Sequence, residues 1–145
     1  MTRRQNLSLT AGIALAPAIA PGKREEAFVV IVHPSNRFDA LSRSKLSFLF
    51  LRKVSRWPWG AEVFPIDVAA NPSARLQFTE QVLRTTEEKL AEYWIDQRAT
   101  RGVRPPIQVP GAMAAKSLVA GRPGAIAYII ASELDGTVKA IRVDP

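Results

Sequence analysis

The sequence predicts an α/β fold in which a small mixed β-sheet is flanked by about four helices. Short β-branched or apolar segments alternate with segments of helical periodicity along most of the chain. The 145 residues are 47% hydrophobic and 23% charged, a balance typical of one folded domain with a modest core. The sequence contains neither an internal repeat nor a linker long enough to separate two domains. We therefore expect one α/β sandwich.

The first strand and the first helix have the clearest patterns. The segment AFVVIVHP, residues 27–34, is a continuous β-branched run ended by proline, which predicts a strand buried on both faces. The segment SRSKLSFLFLRK, residues 42–53, predicts a helix that is capped by Ser42. Its inward apolar stripe is expected to consist of Leu46, Leu49 and Phe50.

The middle of the chain predicts a turn, a strand and a second helix. The proline and glycine of RWPWGAE, residues 56–62, favour a turn, and the strand EVFPID follows at residues 62–67. Asn71 and Pro72 then predict the cap and the first turn of a helix that continues to about Leu83.

A third helix is predicted from its start and stop signals. Thr85 and Glu88 have the spacing of a capping box, and Gly102 is placed to end the helix. The apolar residues expected to face the core are Leu90, Tyr93 and Trp94.

The last part of the chain predicts one more helix and two more strands. Residues 112–121 have helical periodicity. The segments GAIAYII, residues 124–130, and VKAIRV, residues 138–143, predict two closing strands around the turn Asp135–Gly136.

Cysteine and histidine content limits the chemistry. The absence of cysteine excludes disulfides, thiolate nucleophiles and cysteine-ligated zinc, and the single histidine, His33, excludes a metal site built from several histidines of one chain. His33 precedes Pro34 at the end of a predicted strand, and HPSN is not a nucleophile elbow. We expect a structural role for His33, no catalytic residues and no cofactor.

The first 25 residues predict export. Arg3 and Arg4 precede the alanine-rich run LSLTAGIALAPAIA, and a polar break follows, which is the three-part form of a signal peptide. The best cleavage pattern is Ala16–Pro17–Ala18. We expect a signal peptide and linker at residues 1–25, a single domain at residues 26–145, and a periplasmic or secreted location. The alternative is an unprocessed, flexible N-terminus of a cytoplasmic protein.

The basic charge has two interpretations. The net charge of +7 is spread along the chain instead of forming one block, which favours an anion-friendly surface over a nucleic-acid-binding tail. Trp57 and Trp59, beside Arg52, Lys53 and Arg56, form either a stacking platform for single-stranded nucleic acid or a turn that covers the core. We favour the second interpretation and expect no nucleic-acid partner.

The helix predicted at residues 42–53 is apolar on more than one side. Phe48 and Leu51 fall outside its inward stripe. This surface predicts contact with a protein partner or with a second copy of the chain.

The order of several motifs carries a family resemblance. The segment FVVIVHPSNRFDALSRSKLSFLFLRKVSRWPWGAEVFPID is followed by a helix, then by AEYW, and then by GRPGAIAYI, which contains PGAIAY where the family has PGAIGY. This arrangement, over roughly residues 27–143, resembles the phosphate ABC-transporter substrate-binding protein family, whose fold is the type II periplasmic-binding-protein fold. The resemblance implies a PstS-like, non-enzymatic receptor for phosphate or a similar oxyanion, with an ABC transporter permease as partner. On this resemblance we expect a short form that lacks the first part of the family's chain, and with it the first half of the binding cleft.

The resemblance places an anion site at the start of the second helix. The stretch DVAANPSAR, residues 67–75, corresponds to the family's anion-contacting SGTR helix start, and Arg75 matches its arginine. Ser73, Arg75 and Asn71 are the expected anion-binding residues, because a helix start also offers free amides to an anion. Pro72 removes one such amide, and Asp67 would oppose a dianion by about 1 kcal/mol.

Two alternatives stay open for these residues. Asn71 and Pro72 form an ordinary helix cap followed by a solvated Arg75 if no anion binds. The chain would then be a protein-interaction module that kept the fold and lost its anion site.

Overall fold

A six-stranded mixed sheet forms the centre of the protein in a computed structural model, which describes residues 26–69 and 72–145. The predicted signal peptide and the predicted site residue Asn71 lie outside the described residues. The strands are β1 (Phe28–Val32), β2 (Ala40–Ser42), β3 (Phe64–Val68), β4 (Ile107–Val109), β5 (Ala125–Ile130) and β6 (Lys139–Asp144). The helices are α1 (Arg43–Phe50), α2 (Pro72–Phe78), α3 (Glu87–Arg101) and α4 (Ala112–Gly121), so the predicted fold class is confirmed.

The sheet has the strand order β2-β6-β1-β5-β3-β4. β1 runs antiparallel to both of its neighbours, with Val30 opposite Tyr128 on one side and opposite Ile141 on the other. Val30, Ile31 and Val32 are fully buried. The prediction of a central strand buried on both faces is therefore confirmed.

The two closing strands and a turn beside Asp135–Gly136 are present as predicted, but the strands do not pair with each other as a hairpin would. β5 and β6 both pair with β1, which lies between them, and so they run parallel to each other. Residues 131–138 must therefore run back along the length of β1, whereas a tight hairpin turn joins only antiparallel neighbours.

Three parallel strands form the other half of the sheet. β3 pairs in parallel with β5 and with β4, where Val68 lies opposite Val109. Their carboxyl ends share one edge of the sheet, where α2 follows β3 and α4 follows β4. This edge is where α/β folds commonly bind their ligands.

The helix limits follow local capping signals. The Ser42 side chain accepts a hydrogen bond from the amide of Lys45, as predicted, and α1 buries Leu46, Leu49 and Phe50. α2 continues as a π-helical turn, Thr79–Leu83, which ends where the sequence predicted.

Helix α3 begins one residue later than its predicted cap. Thr86, not Thr85, is the N-cap, and its side chain accepts from the amide of Lys89 at 3.2 Å. Thr86 has the extended backbone that an N-cap needs, so the Thr85–Glu88 capping box was wrong. The helix ends at Gly102 in the left-handed conformation, as predicted.

The tryptophan turn forms part of the core. Trp57 is 3% exposed, and its Nε1 donates to the Gly124 carbonyl oxygen at 2.9 Å. Trp59 stacks on Trp57 with ring centroids 5.4 Å apart. The interpretation of this turn as a cover for the core is confirmed. A Cβ on Gly124 would overlap the carbonyl of Glu62, so this close approach requires glycine.

Candidate oxyanion site at the start of helix α2

The predicted site lies at the shared edge of the parallel strands. Asp67 is near the end of β3, Arg75 is in α2, and Glu87 is the first residue of α3. Tyr128 comes from β5, which is the direct neighbour of β3 in the sheet. Four different elements therefore contribute one ionisable side chain each.

Arg75 is bound by two carboxylates. Its Nε and Nη2 each donate to a different oxygen of Glu87 at 3.1 Å, and its Nη1 lies 3.1 Å from Oδ2 of Asp67. The Arg75 side chain is 24% exposed. The hydrogen bonds to Glu87, reinforced by the charge of Asp67, raise the pKa of Arg75 above its ordinary value. The alternative of a solvated Arg75 is therefore wrong.

The carboxylates are held by further hydrogen bonds. The hydroxyl of Tyr128 donates to Oδ1 of Asp67, and the hydroxyl of Thr79 donates to Oε2 of Glu87 at 3.3 Å. Tyr128 is almost fully buried, and this burial, with the adjacent charge of Asp67, raises its pKa well above the usual range. The Tyr128 hydroxyl therefore stays protonated at physiological pH and remains a donor.

The charges in this cluster do not balance. Two carboxylates surround one guanidinium, which leaves a formal charge of one negative unit. A guanidinium has five N–H donors. Among the described residues, three of those of Arg75 point to Asp67 and Glu87. Within residues 26–69 and 72–145, one further donor on Nη1 and one on Nη2 meet no acceptor.

A pocket of about 490 Å³ opens beside this cluster. Asp67, Arg75, Glu87 and Gln108 supply its polar wall. Apolar side chains supply the rest, namely Leu90, Ala91, Trp94, Pro105 and Pro106. The pocket is large enough for a small oxyanion and presents both donors and acceptors.

Ser73 is placed differently from Arg75. Its hydroxyl accepts from Nε2 of Gln77 at 3.2 Å, and the same nitrogen donates to the carbonyl of Glu26. Side chains two residues apart on a helix do not face each other. The structure therefore brings Arg75 together with Asp67 and Glu87 but does not bring Ser73 into the pocket, and Pro72 contributes no amide.

Sequence reasoning missed two members of the cluster. Glu87 was overlooked because the capping signal was placed one residue too early, on Thr85 and Glu88. Tyr128 lies in a buried strand 61 residues from Asp67, and no sequence motif links the two. Only the pairing of β3 with β5 brings them together.

No catalytic constellation surrounds His33 in the described part of the chain. Its Nδ1 lies 2.8 Å from the hydroxyl of Ser35 and accepts from the amide of Ser35 at 3.0 Å, which stabilises the turn after β1. Within residues 26–69 and 72–145, no group of three or more histidine, aspartate or glutamate side chains could hold a metal ion. None of the helices in these ranges combines the length and apolar character needed to cross a bilayer.

Solved structures of phosphate receptors share this fold. The chain matches an ABC-type phosphate transport receptor from Vibrio cholerae with a TM-score of 0.61 and 18% identity, over 81% of this chain and 46% of that one. It matches PstS from Borrelia burgdorferi with a TM-score of 0.61 and 12% identity, over 81% and 47% of the two chains. It also matches a proposed phosphate ABC transporter substrate-binding protein with bound phosphate, from Clostridium perfringens. The TM-score is 0.62 and the identity 20%, over 81% of this chain and 45% of that one.

These similarities establish the fold alone. The chain spans less than half the length of the solved structures that it matches. Neither a family model nor a curated protein matches the sequence. The described residues form a periplasmic-binding-protein-like lobe, as the resemblance implied.

Proposed function

We propose that this chain is an exported, non-enzymatic binding protein whose ligand is a small protonated oxyanion such as hydrogen phosphate. The observation that carries the proposal is the position of Arg75. Its guanidinium lines a pocket at the carboxyl ends of β3 and β4 and keeps two donors beyond those used by Asp67 and Glu87. Asn71 stays in the proposal as a secondary contact, whereas Ser73, which does not line the pocket, is left out of it.

The carboxylates determine which oxyanion fits. Asp67 and Glu87 can only accept hydrogen bonds when ionised, so a ligand beside them needs a proton to donate. Hydrogen phosphate accepts from Arg75 and donates from its own hydroxyl, whereas fully ionised sulfate has no proton to offer. We therefore expect phosphate to bind in preference to sulfate.

The negative charge of the cluster limits the affinity. A unit charge about 4 Å away contributes roughly 1 to 4 kcal/mol, depending on how well solvent screens it. Because the cluster carries one excess negative charge, the singly charged form of phosphate should bind better than the dianion. Phosphate binding should therefore be weak and should weaken further as the pH rises.

A thermal melt of the full chain in millimolar phosphate or sulfate, at constant ionic strength, tests this proposal. A ligand that binds the folded state raises the melting temperature by mass action. We expect a rise with phosphate, a smaller rise or none with sulfate, and no phosphate effect in Arg75→Ala. Arg75→Lys is the matched variant, because it keeps the charge and loses the planar fork of donors. An equal response to phosphate in the wild type and in Arg75→Ala would contradict the proposal.

A protein-interaction module is the second candidate, and the ion pairs of Arg75 favour it. Asp67 and Glu87 contact the guanidinium in the way that a bound anion would. A lobe that has replaced its ligand in this manner would ignore phosphate and work through a partner. The absence of any phosphate effect, together with a stable complex with another protein, would support this candidate.

Export and delivery to a transporter belong to the same proposal. The pattern of residues 1–25 supports export, and the resemblance to phosphate receptors supports an ABC transporter permease as partner. Mass spectrometry of the protein recovered from the extracytoplasmic fraction tests the first point, with a mature N-terminus after Ala18 as the expected result. Recovery of the intact chain in the cytoplasm would contradict it.

A further inference from the structure

An apolar groove lies between helix α1 and the turn at residues 54–58. Its volume is about 390 Å³, and it is an open groove instead of an enclosed cavity. The apolar lining includes Phe38, Leu41, Phe48, Val54 and Trp57. The exposed lining is mostly apolar, whereas the pocket beside Arg75 has both a polar and an apolar wall.

Part of this lining is exposed to water without contributing to the core. Phe48 is 44% exposed and Val54 is 39% exposed, whereas Leu46, Leu49 and Phe50 already provide the buried face of α1. Single exposed apolar residues are common, but a contiguous apolar groove usually marks an interaction site.

The rim of the groove is basic. Lys45 and Arg56 are the charged residues that line it, and neither forms a salt bridge within the part of the chain that the structure describes. Residues 37–59 contain six basic side chains and one acidic side chain, Asp39, which is paired with Lys139 at 2.9 Å. Lys53 also lies over the ring of Phe48. The potential around the groove is therefore positive.

We propose that this groove binds an acidic amphipathic segment of a partner protein, with apolar side chains at helical spacing and flanking aspartate or glutamate. Charge complementarity selects an acidic partner over a second copy, because a symmetric dimer would place Lys45 and Arg56 against their own counterparts. The open shape favours a peptide over a free lipid tail, which requires enclosure on most of its surface. Single-stranded nucleic acid would need several exposed rings on which successive bases stack, whereas of the three rings that line the groove Phe48 is exposed, Phe38 is half-buried and Trp57 is buried.

This inference goes beyond the proposed oxyanion function and does not depend on it. The groove and the Arg75 pocket have no lining residue in common. A variant in the groove should therefore leave phosphate binding unchanged, and failure of one proposal would not affect the other.

Lys45→Glu is a sharp test because it should not weaken the fold. Residue 45 is the third residue of α1, and Ser42 is the N-cap, so glutamate there completes a capping box. Lys89→Glu is the matched control, because Lys89 is the third residue of α3 after the N-cap Thr86 and does not line the groove. Both substitutions make the same charge change at the same helix position. Phe48→Ser removes the apolar anchor point at an exposed position.

The experiment is a selection of peptides of about 16 residues from a displayed library against the full chain, followed by affinity measurements with the best synthetic peptide. We expect enriched peptides with net negative charge and apolar residues at i, i+3 or i+4, and i+7. Lys45→Glu and Phe48→Ser should each weaken binding by about tenfold or more, and Lys89→Glu by less than about twofold. Thermal melts of each variant check that the fold is retained.

Several outcomes would overturn the inference. Enrichment of neutral or basic peptides, no enrichment, or equal binding to Lys45→Glu would each contradict it. Binding of phosphatidylglycerol vesicles or of a single-stranded oligonucleotide through Lys45 and Phe48, without peptide binding, would assign the groove to another ligand. Concentration-dependent dimerisation that Phe48→Ser abolishes would assign it to a second copy.

Discussion

Arg75 and Glu87 form a two-point ion pair, in which Nε and Nη2 of the guanidinium each contact a different carboxylate oxygen at 3.1 Å. The pair joins helix α2 to the first residue of α3 across the π-helical turn. It also fixes the orientation of the guanidinium, with Asp67 on its other side. The proposed site is therefore arranged before any ligand arrives, and we expect its carboxylates to set the conditions for binding.

Glu87→Gln should lower the stability of the ligand-free protein slightly. The amide oxygen still accepts a hydrogen bond from Arg75, but the charge attraction is lost. Because the Glu87 side chain is 43% exposed, solvent screens the pair and the loss should be about 1 kcal/mol or less. Urea unfolding measures the change, and a loss of several kcal/mol would show that the pair is a main support of the fold.

Tyr128→Phe should destabilise the protein more than Tyr93→Phe does. The Tyr128 hydroxyl is buried and donates to Asp67, so its removal leaves a carboxylate oxygen without this donor, at a cost of roughly 1 to 3 kcal/mol. The Tyr93 hydroxyl donates to the Leu51 carbonyl at a partly exposed position, where water can replace it. Urea unfolding measures both effects as shifts of the midpoint, provided that the m-value of each variant equals that of the wild type. Equal losses in the two variants would contradict the assigned role of Tyr128.

Gly124→Ala should be among the more damaging small substitutions. The new Cβ would overlap the Glu62 carbonyl oxygen. Relieving this overlap would displace the carbonyl of residue 124 itself, which accepts from Trp57, and we expect a loss of stability of roughly 1 to 3 kcal/mol. Gly121→Ala, at the end of α4, meets no atom within 4 Å and should be neutral or slightly stabilising. Thermal unfolding of the two variants side by side checks this difference, and a neutral Gly124→Ala would show that β3 and β5 can move apart.

Asp135 should make the protein sensitive to acid. Hydrogen bonds from Thr137, and then the contact with Lys116, hold the pKa of Asp135 well below its ordinary value of 3.8. A lowered pKa in the folded state contributes stability that is present above the unfolded value and is lost as the pH falls below it. The melting temperatures of the wild type and Asp135→Asn should therefore differ most near neutral pH and converge in acid. A difference that does not change with pH would contradict this assignment.

Local signals predicted the elements well, and contacts between distant segments limited the rest. Ser42 and Gly102 lie at helix ends that short-range capping determines, and both limits are where the sequence places them. The partners of β5 and β6 depend on which strand takes the centre of the sheet, and a turn signal at Asp135–Gly136 carries no information about that choice.

The candidate site could be predicted only in part for the same reason. Arg75 could be identified from the sequence because the predicted helix start and the matching family motif both lie within a few residues of it. Its partners come from β3, α3 and β5, and only the folded sheet brings them together. One wall of the apolar groove could be predicted from the sequence, because Phe48 falls outside the inward stripe of α1. The other wall comes from Val54 and Trp57, and only the folded chain brings the two walls together.

Calorimetric titration of the full chain and of Glu87→Gln with phosphate, and then with sulfate, tests the central claim most directly. If Arg75 binds a protonated oxyanion beside two carboxylates, wild type should bind phosphate weakly and Glu87→Gln should bind it about tenfold more tightly, because one opposing charge is gone. Sulfate should bind less than phosphate in the wild type. Undetectable phosphate binding by both proteins, or equal binding of the two anions by the wild type, would contradict the account.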